Sequence, residues 1–171
     1  LEESPEVESA RAAGAILVRR SQALAWALRD YRLIAVTGSH GKTTTTALAG
    51  KALEAAGLDP TVVVGAEVRD YDGSVRIGKS DWAVVEACEA YDTLRDLHPH
   101  YVLLTNLEHE HVDFHPTFGD LMETVVLMCD RVPSEGRLFF AAGDAGNLAV
   151  AEATKAKVVP VEVSGELPPL S

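Results

Sequence analysis

Basic residues are scarce in this chain. Fifteen Lys and Arg stand against 26 Asp and Glu, for a net charge of −11. A general nucleic-acid surface needs the opposite balance, so no nucleic-acid partner is expected. Any site for a polyphosphate must be locally positive inside an acidic body. Cysteine is nearly absent: Cys88 and Cys129 are too few for a disulfide framework and lack metal-ligand spacing, which makes a reducing cytoplasm the expected setting. No uninterrupted apolar run approaches 18 residues and no secretory signal pattern is present, so no membrane partner is expected either. Internal repeats and low-complexity blocks are missing, as is any Ser–His or Cys–His pairing that would mark a protein nucleophile. The first residue is Leu1 rather than methionine, as in a piece cut from something longer.

What is present is globular. At 171 residues with 47% hydrophobic and 24% charged content, the chain fits one domain that buries roughly 70% of its unfolded surface. Helical character runs from Glu2 to Ala13, with Pro5 in the first turn and Gly14 as a stop. Ser21 is a candidate cap for a helix through Arg29. Strands are expected at Leu33–Val36, Thr61–Gly65, Trp82–Glu86, Tyr101–Thr105, Arg137–Ala141 and Lys157–Val161. Asp70-Tyr71-Asp72-Gly73 reads as a hairpin-like turn before Val75-Arg76-Ile77. Helices are expected from about Gly41 to Ala56, from a Thr117 cap to Cys129, and near Ala145–Thr154. Trp26 and Trp82 read as core or interface residues, and His98 and His100 as loop residues flanking Pro99. Alternating strands and helices predict an α/β fold, a mostly parallel sheet flanked by helices.

The densest signal is Ile34-Ala35-Val36-Thr37-Gly38-Ser39-His40-Gly41-Lys42-Thr43-Thr44-Thr45-Thr46. A short apolar strand enters a glycine turn, and the turn delivers Gly-Lys-Thr into a helix. That order suits a nucleotide triphosphate: backbone N–H groups approach phosphate oxygens, a lysine adds charge, a hydroxyl reaches Mg²⁺, and the helix dipole favours the anion. The spacing is short. The common G-x-x-x-x-G-K-[ST] pattern needs glycine where this chain has Val36.

Two other strand ends carry polar residues. Val84-Val85-Glu86 is an apolar strand delivering a carboxylate, which with the Thr43 hydroxyl suits the oxygen-ligand preference of Mg²⁺. Glu89 is a weaker candidate for the same role. Thr105-Asn106-Leu107-Glu108-His109-Glu110-His111-Val112-Asp113 follows the next strand; a solvated polar loop would read the same way. A zinc site is the sharper alternative, since His109, His111, Asp113 and His115 lie close together. Their order is similar to the H-x-H-x-D-H motif of metallo-β-lactamase-type hydrolases, but one residue intervenes between Asp113 and His115, and zinc geometry tolerates little of that.

Together these residues resemble the central ATP-binding domain of the Mur ligases, a P-loop NTPase-like domain in enzymes that build the peptidoglycan peptide. Gly38-Ser39-His40-Gly41-Lys42-Thr43-Thr44 is similar to that family's short Gly-Thr-x-Gly-Lys-Thr-Thr loop. Glu86-Ala87-Cys88-Glu89 with Tyr91, and Thr105 to Asp113, look most like the branch that adds L-alanine to UDP-N-acetylmuramate. The resemblance implies ATP and Mg²⁺ as cofactors, with Gly38, Ser39, His40, Gly41, Lys42, Thr43, Thr44 and Asn106 around the phosphates. It implies one Mg²⁺ on Thr43 and Glu86 and a second on His111, with Lys42, Glu86 and His111 as the catalytic set. It further implies that the sugar nucleotide's carboxylate becomes an acyl phosphate, which the amine of L-alanine then displaces. A recycling branch, adding a tripeptide to the same sugar nucleotide, shares the loop. A nucleotide-binding module without catalysis is a third possibility. By the same resemblance residues 1–30 are a connector from an N-terminal UDP-sugar-binding domain, 31–165 the ATP-binding domain, and 166–171 the way toward a C-terminal domain. The chain alone is not expected to ligate.

Overall fold

The computed structural model describes residues 4–89, 93–108 and 114–162. Two helices come first, α1 (Pro5–Ala12) and α2 (Arg20–Leu28). They are followed by β1 (Arg32–Thr37), α3 (Lys42–Ala55), β2 (Thr61–Val68), a 3-10 turn at Arg69–Tyr71, β3 (Gly73–Arg76) and β4 (Trp82–Glu86). The chain continues through α4 (Thr93–Asp96), β5 (Tyr101–Leu104), α5 (Phe118–Cys129), β6 (Arg137–Ala141), α6 (Ala145–Ala153) and β7 (Val158–Val161).

The strands form one sheet in the order β3-β2-β4-β1-β5-β6-β7. Every neighbouring pair is parallel except β2–β3, which closes the expected hairpin. The apolar strands explain the arrangement. The apolar strands β1, β4 and β5 alternate their side chains between two faces and need both covered. On one face Val36, Val62, Val64 and Val84 pack with Ala49 and Leu53 of α3. On the other, Leu33, Ala35, Val85, Val102 and Leu138 meet Leu28, Leu94, Leu121, Val125, Met128 and Val150 from the remaining helices. Helix α5 is held at its start by a capping box, in which the Thr117 hydroxyl accepts from the Asp120 amide and the Asp120 carboxylate accepts from the Thr117 amide.

Connections from β1 run to β2 on one side, while β4 connects across to β5 on the other. The strand order therefore reverses at the carboxyl end of β1, where ligands of open α/β sheets bind. The Thr37, Glu86 and Leu104 ends meet there.

Several local expectations change. Arg19, not Ser21, begins α2: its backbone amide donates to the Gln22 side chain, and Ser21 lies buried inside the first turn. Trp26 is not core; the residue is 67% exposed, with the Arg29 guanidinium 4.5 Å over its ring. Trp82 is half-buried, stacked on Tyr101 and covered by Arg32. Cys129 is buried, its thiol pushed up to about 12 by desolvation first and by Asp130 second. Among the described residues no helix is long and apolar enough to cross a membrane.

Candidate nucleotide-binding site

The turn after β1 is shaped by two glycines at positive φ, Gly38 at 130° and Gly41 at 78°. Gly38 also lies so close to β5 that a Cβ would collide with the Thr105 hydroxyl and the Asn106 carbonyl. Only glycine meets both demands. Gly41 caps α3 in the left-handed conformation. The helix ladder begins with the Thr45 amide donating to the Gly41 carbonyl, so the amides of residues 41–44 are the unpaired donors of a first helical turn.

Asn106 fixes the loop from the neighbouring strand end. Its Oδ1 accepts from the His40 amide at 2.8 Å, and its Nδ2 donates to the His40 carbonyl at 3.1 Å. The Thr105 hydroxyl donates to the same carbonyl at 2.7 Å. The Ser39 amide donates to the Asn106 carbonyl at 3.0 Å. The Ser39 hydroxyl donates to the Glu108 carbonyl and accepts from the Glu108 amide at 2.8 Å. Two of the amides expected to cradle phosphate, those of Ser39 and His40, are thus spent on holding the loop. Amides 41–44 remain at the positive end of the helix dipole.

The threonine run now has a geometric reading. At about 100° per residue, four consecutive threonines point in four directions. Thr43 aims at Glu86, Thr44 is exposed, and Thr45 faces an apolar cleft of about 210 Å³ with Leu103, Phe139, Ala141 and Val161. Thr46 is buried and donates to the Lys42 carbonyl.

Glu86 sits where the sequence placed it, at the end of β4. Its Oε1 accepts from the Thr43 hydroxyl at 3.1 Å and its Oε2 from the Gly65 amide at 2.7 Å. A side chain at Gly65 would strike this carboxylate, so the glycine in β2 makes room for it. One hydroxyl and one carboxylate in contact beside a glycine turn at a helix N-terminus are a donor set that fits Mg²⁺.

Lys42 turns back onto the loop. Its Nζ lies 2.5 Å from the Gly38 carbonyl, 3.1 Å from the Ser39 carbonyl, and 3.0 Å from Glu89 Oε2. Glu89 is 2% exposed. Sequence spacing ranked it below Glu86, because nothing in a linear pattern marks the partner of a loop lysine.

His111, His109, Glu110 and Asp113 lie outside the described residues, so neither a second magnesium nor the zinc alternative is described here. His115 is described. It is buried, with Nε2 2.8 Å from the Glu89 carbonyl, so that nitrogen serves the backbone. Among the described residues no group of three His, Cys, Asp or Glu side chains could hold a metal ion. His40 is exposed, 3.9 Å from Glu108.

Comparison with known proteins adds to this geometry. Residues 36–166 match the Mur ligase middle domain. A UDP-N-acetylmuramate–L-alanine ligase of Synechococcus sp. (strain RCC307) is 44% identical over 124 residues, 72% of this chain and 26% of the relative. The enzyme of the same name from Arthrobacter sp. (strain FB24) is 37% identical over 155 residues, 91% of this chain and 33% of the relative. The chain therefore spans about a quarter to a third of such relatives. Among solved structures, a UDP-N-acetylmuramate:L-alanyl-gamma-D-glutamyl-meso-diaminopimelate ligase from Neisseria meningitides superposes with a TM-score of 0.80 at 26% identity, covering 90% of this chain and 53% of that one.

Proposed function

The chain belongs to the Mur ligase family through its middle domain, and on that premise we propose that it is the ATP-binding part of an L-alanine-adding ligase of peptidoglycan synthesis. The observation that carries the reading is the meeting of three strand ends. The short loop after β1, the Glu86 carboxylate after β4 and Asn106 after β5 share one site, with Thr43 and Glu86 in contact.

Each residue has a task. The amides 41–44 and the Lys42 ammonium bind the phosphates of ATP; Asn106 and Thr105 keep the loop open in the shape that presents them. Thr43 and Glu86 would hold Mg²⁺, which when bound neutralises phosphate charge. His111 is the candidate for a second Mg²⁺ on the strength of the family resemblance alone. The carboxylate of UDP-N-acetylmuramate becomes an acyl phosphate at the expense of ATP, and the amine of L-alanine displaces phosphate. No side chain need attack anything. Positioning and charge stabilisation do the work, which suits a site without a nucleophile–base pair. Residues 31–165 form the nucleotide-binding unit in this reading. Residues 1–30 connect it to a sugar-nucleotide domain, and 166–171 lead to a domain that brings the amino acid. L-alanine is preferred over a tripeptide because relatives 37–44% identical are named for it.

The test is phosphate release from ATP by a protein carrying this chain between its two partner domains, with UDP-N-acetylmuramate and either L-alanine or the tripeptide. Turnover with L-alanine supports the reading. Turnover with the tripeptide alone replaces it, and full ligation by the 171-residue chain by itself refutes the domain assignment.

A further inference from the structure

The partner of Lys42 is not explained by phosphate binding. A buried carboxylate beside an anion site repels the anion and costs desolvation. Yet the Glu89 side chain is 1% exposed and approaches the Lys42 ammonium with both oxygens, at 3.1 and 3.0 Å. An ammonium has three N–H donors. Here the Gly38 carbonyl, the Ser39 carbonyl and the carboxylate take them up, so none is left to point at a phosphate. Glu89 itself lies three residues past the end of β4, and its backbone carbonyl is held by His115 from the segment before α5. A residue anchored from behind, aimed at the one side chain that a phosphate would need, is placed to act on that side chain.

We infer that Glu89 is a positioning residue that latches Lys42 onto the nucleotide-free loop, and that loading of a triphosphate exchanges the carboxylate for phosphate oxygens at the ammonium. The inference rests on the phosphate-loop reading above. The latch keeps the loop preformed while no nucleotide is present. It also sets affinity, because binding must separate the Lys42–Glu89 pair. Removing the charge while keeping the shape therefore strengthens nucleotide binding, the reverse of what loss of a ligand or a structural prop would do. Shortening the side chain by one methylene, with the charge retained, acts in the same direction but less.

Two readouts test this on the 171-residue chain. Titration calorimetry with Mg-ATP is expected to give a Kd at least threefold lower for Glu89→Gln than for the native chain, with Glu89→Asp in between. In the nucleotide-free chain, acetic anhydride labelling followed by mass spectrometry is expected to modify Lys42 at least threefold faster in Glu89→Gln, with Lys51 unchanged. A purely structural role would leave Mg-ATP binding unchanged or weaker and would alter labelling at both lysines; either result overturns the latch. Should Glu89→Gln fail to fold, Glu89→Asp decides by the same two criteria. Should the native chain bind no Mg-ATP at millimolar concentration, the phosphate-loop reading fails on that result, and the labelling rate of Lys42 alone judges the latch.

Discussion

Helix α3 carries two lysine–carboxylate pairs of the same chemistry and opposite character. At its start, Lys42 and Glu89 are 12% and 1% exposed, and the lysine is tied to two loop carbonyls as well. Further along, Lys51 reaches Glu54 at 3.2 Å and Asp70 at 3.3 Å, with the lysine 41% and Asp70 66% exposed. Water screens the second pair, which contributes little and joins a surface network with Arg76 and Asp59 along the β2–β3 hairpin. The first pair cannot be screened. Its desolvation is costly, and a hydrophobic replacement would serve stability as well or better. On the latch proposed above, the buried pair serves the phosphate loop, whereas the exposed pair lies on the surface of a helix. Burial, not the identity of the charges, separates function from surface here.

The contrast can be broken by mutation. Lys42→Ala strands a buried carboxylate and should lower unfolding free energy by about 3 kcal/mol in urea denaturation followed by circular dichroism. A loss indistinguishable from zero would mean that the pair is no more buried in solution than Lys51. Gly38→Ala probes the loop that the lysine leans on. Its positive φ and the collision with Thr105 and Asn106 predict a loss of about 2 kcal/mol. A neutral result would show the turn free to rearrange. Lys51→Ala should leave the urea midpoint unresolved from the native value at physiological salt. A clear drop would make the exposed pair the structural one and reverse the comparison.

Much of this organisation was legible in the sequence. Trp82–Glu86, Arg137–Ala141 and Phe118–Cys129 have the ends expected of them, since apolar runs bounded by turn residues, or opened by Thr117 with Asp120, define their own limits. The loop, Glu86 and Asn106 came together because strand ends in a parallel sheet share one edge. What the sequence hid depends on contacts through space. Strand β2 runs on to Val68 because β3 pairs with it across a register shift. Gln22 caps α2 from inside the helix, where a serine search does not look. The four-residue α4 leaves no periodicity to read. Glu89 does not stand out in the sequence because the side chain it meets, Lys42, is 47 positions away in the chain.

That the amides of residues 41–44 and the Lys42 ammonium hold the phosphates of ATP is measured most directly by Mg-ATP binding to the native chain and to Lys42→Ala. Calorimetric titration should show stoichiometric binding by the native chain and at least a tenfold weaker Kd for Lys42→Ala at a temperature where circular dichroism shows both folded. Equal affinity in the two proteins would contradict it.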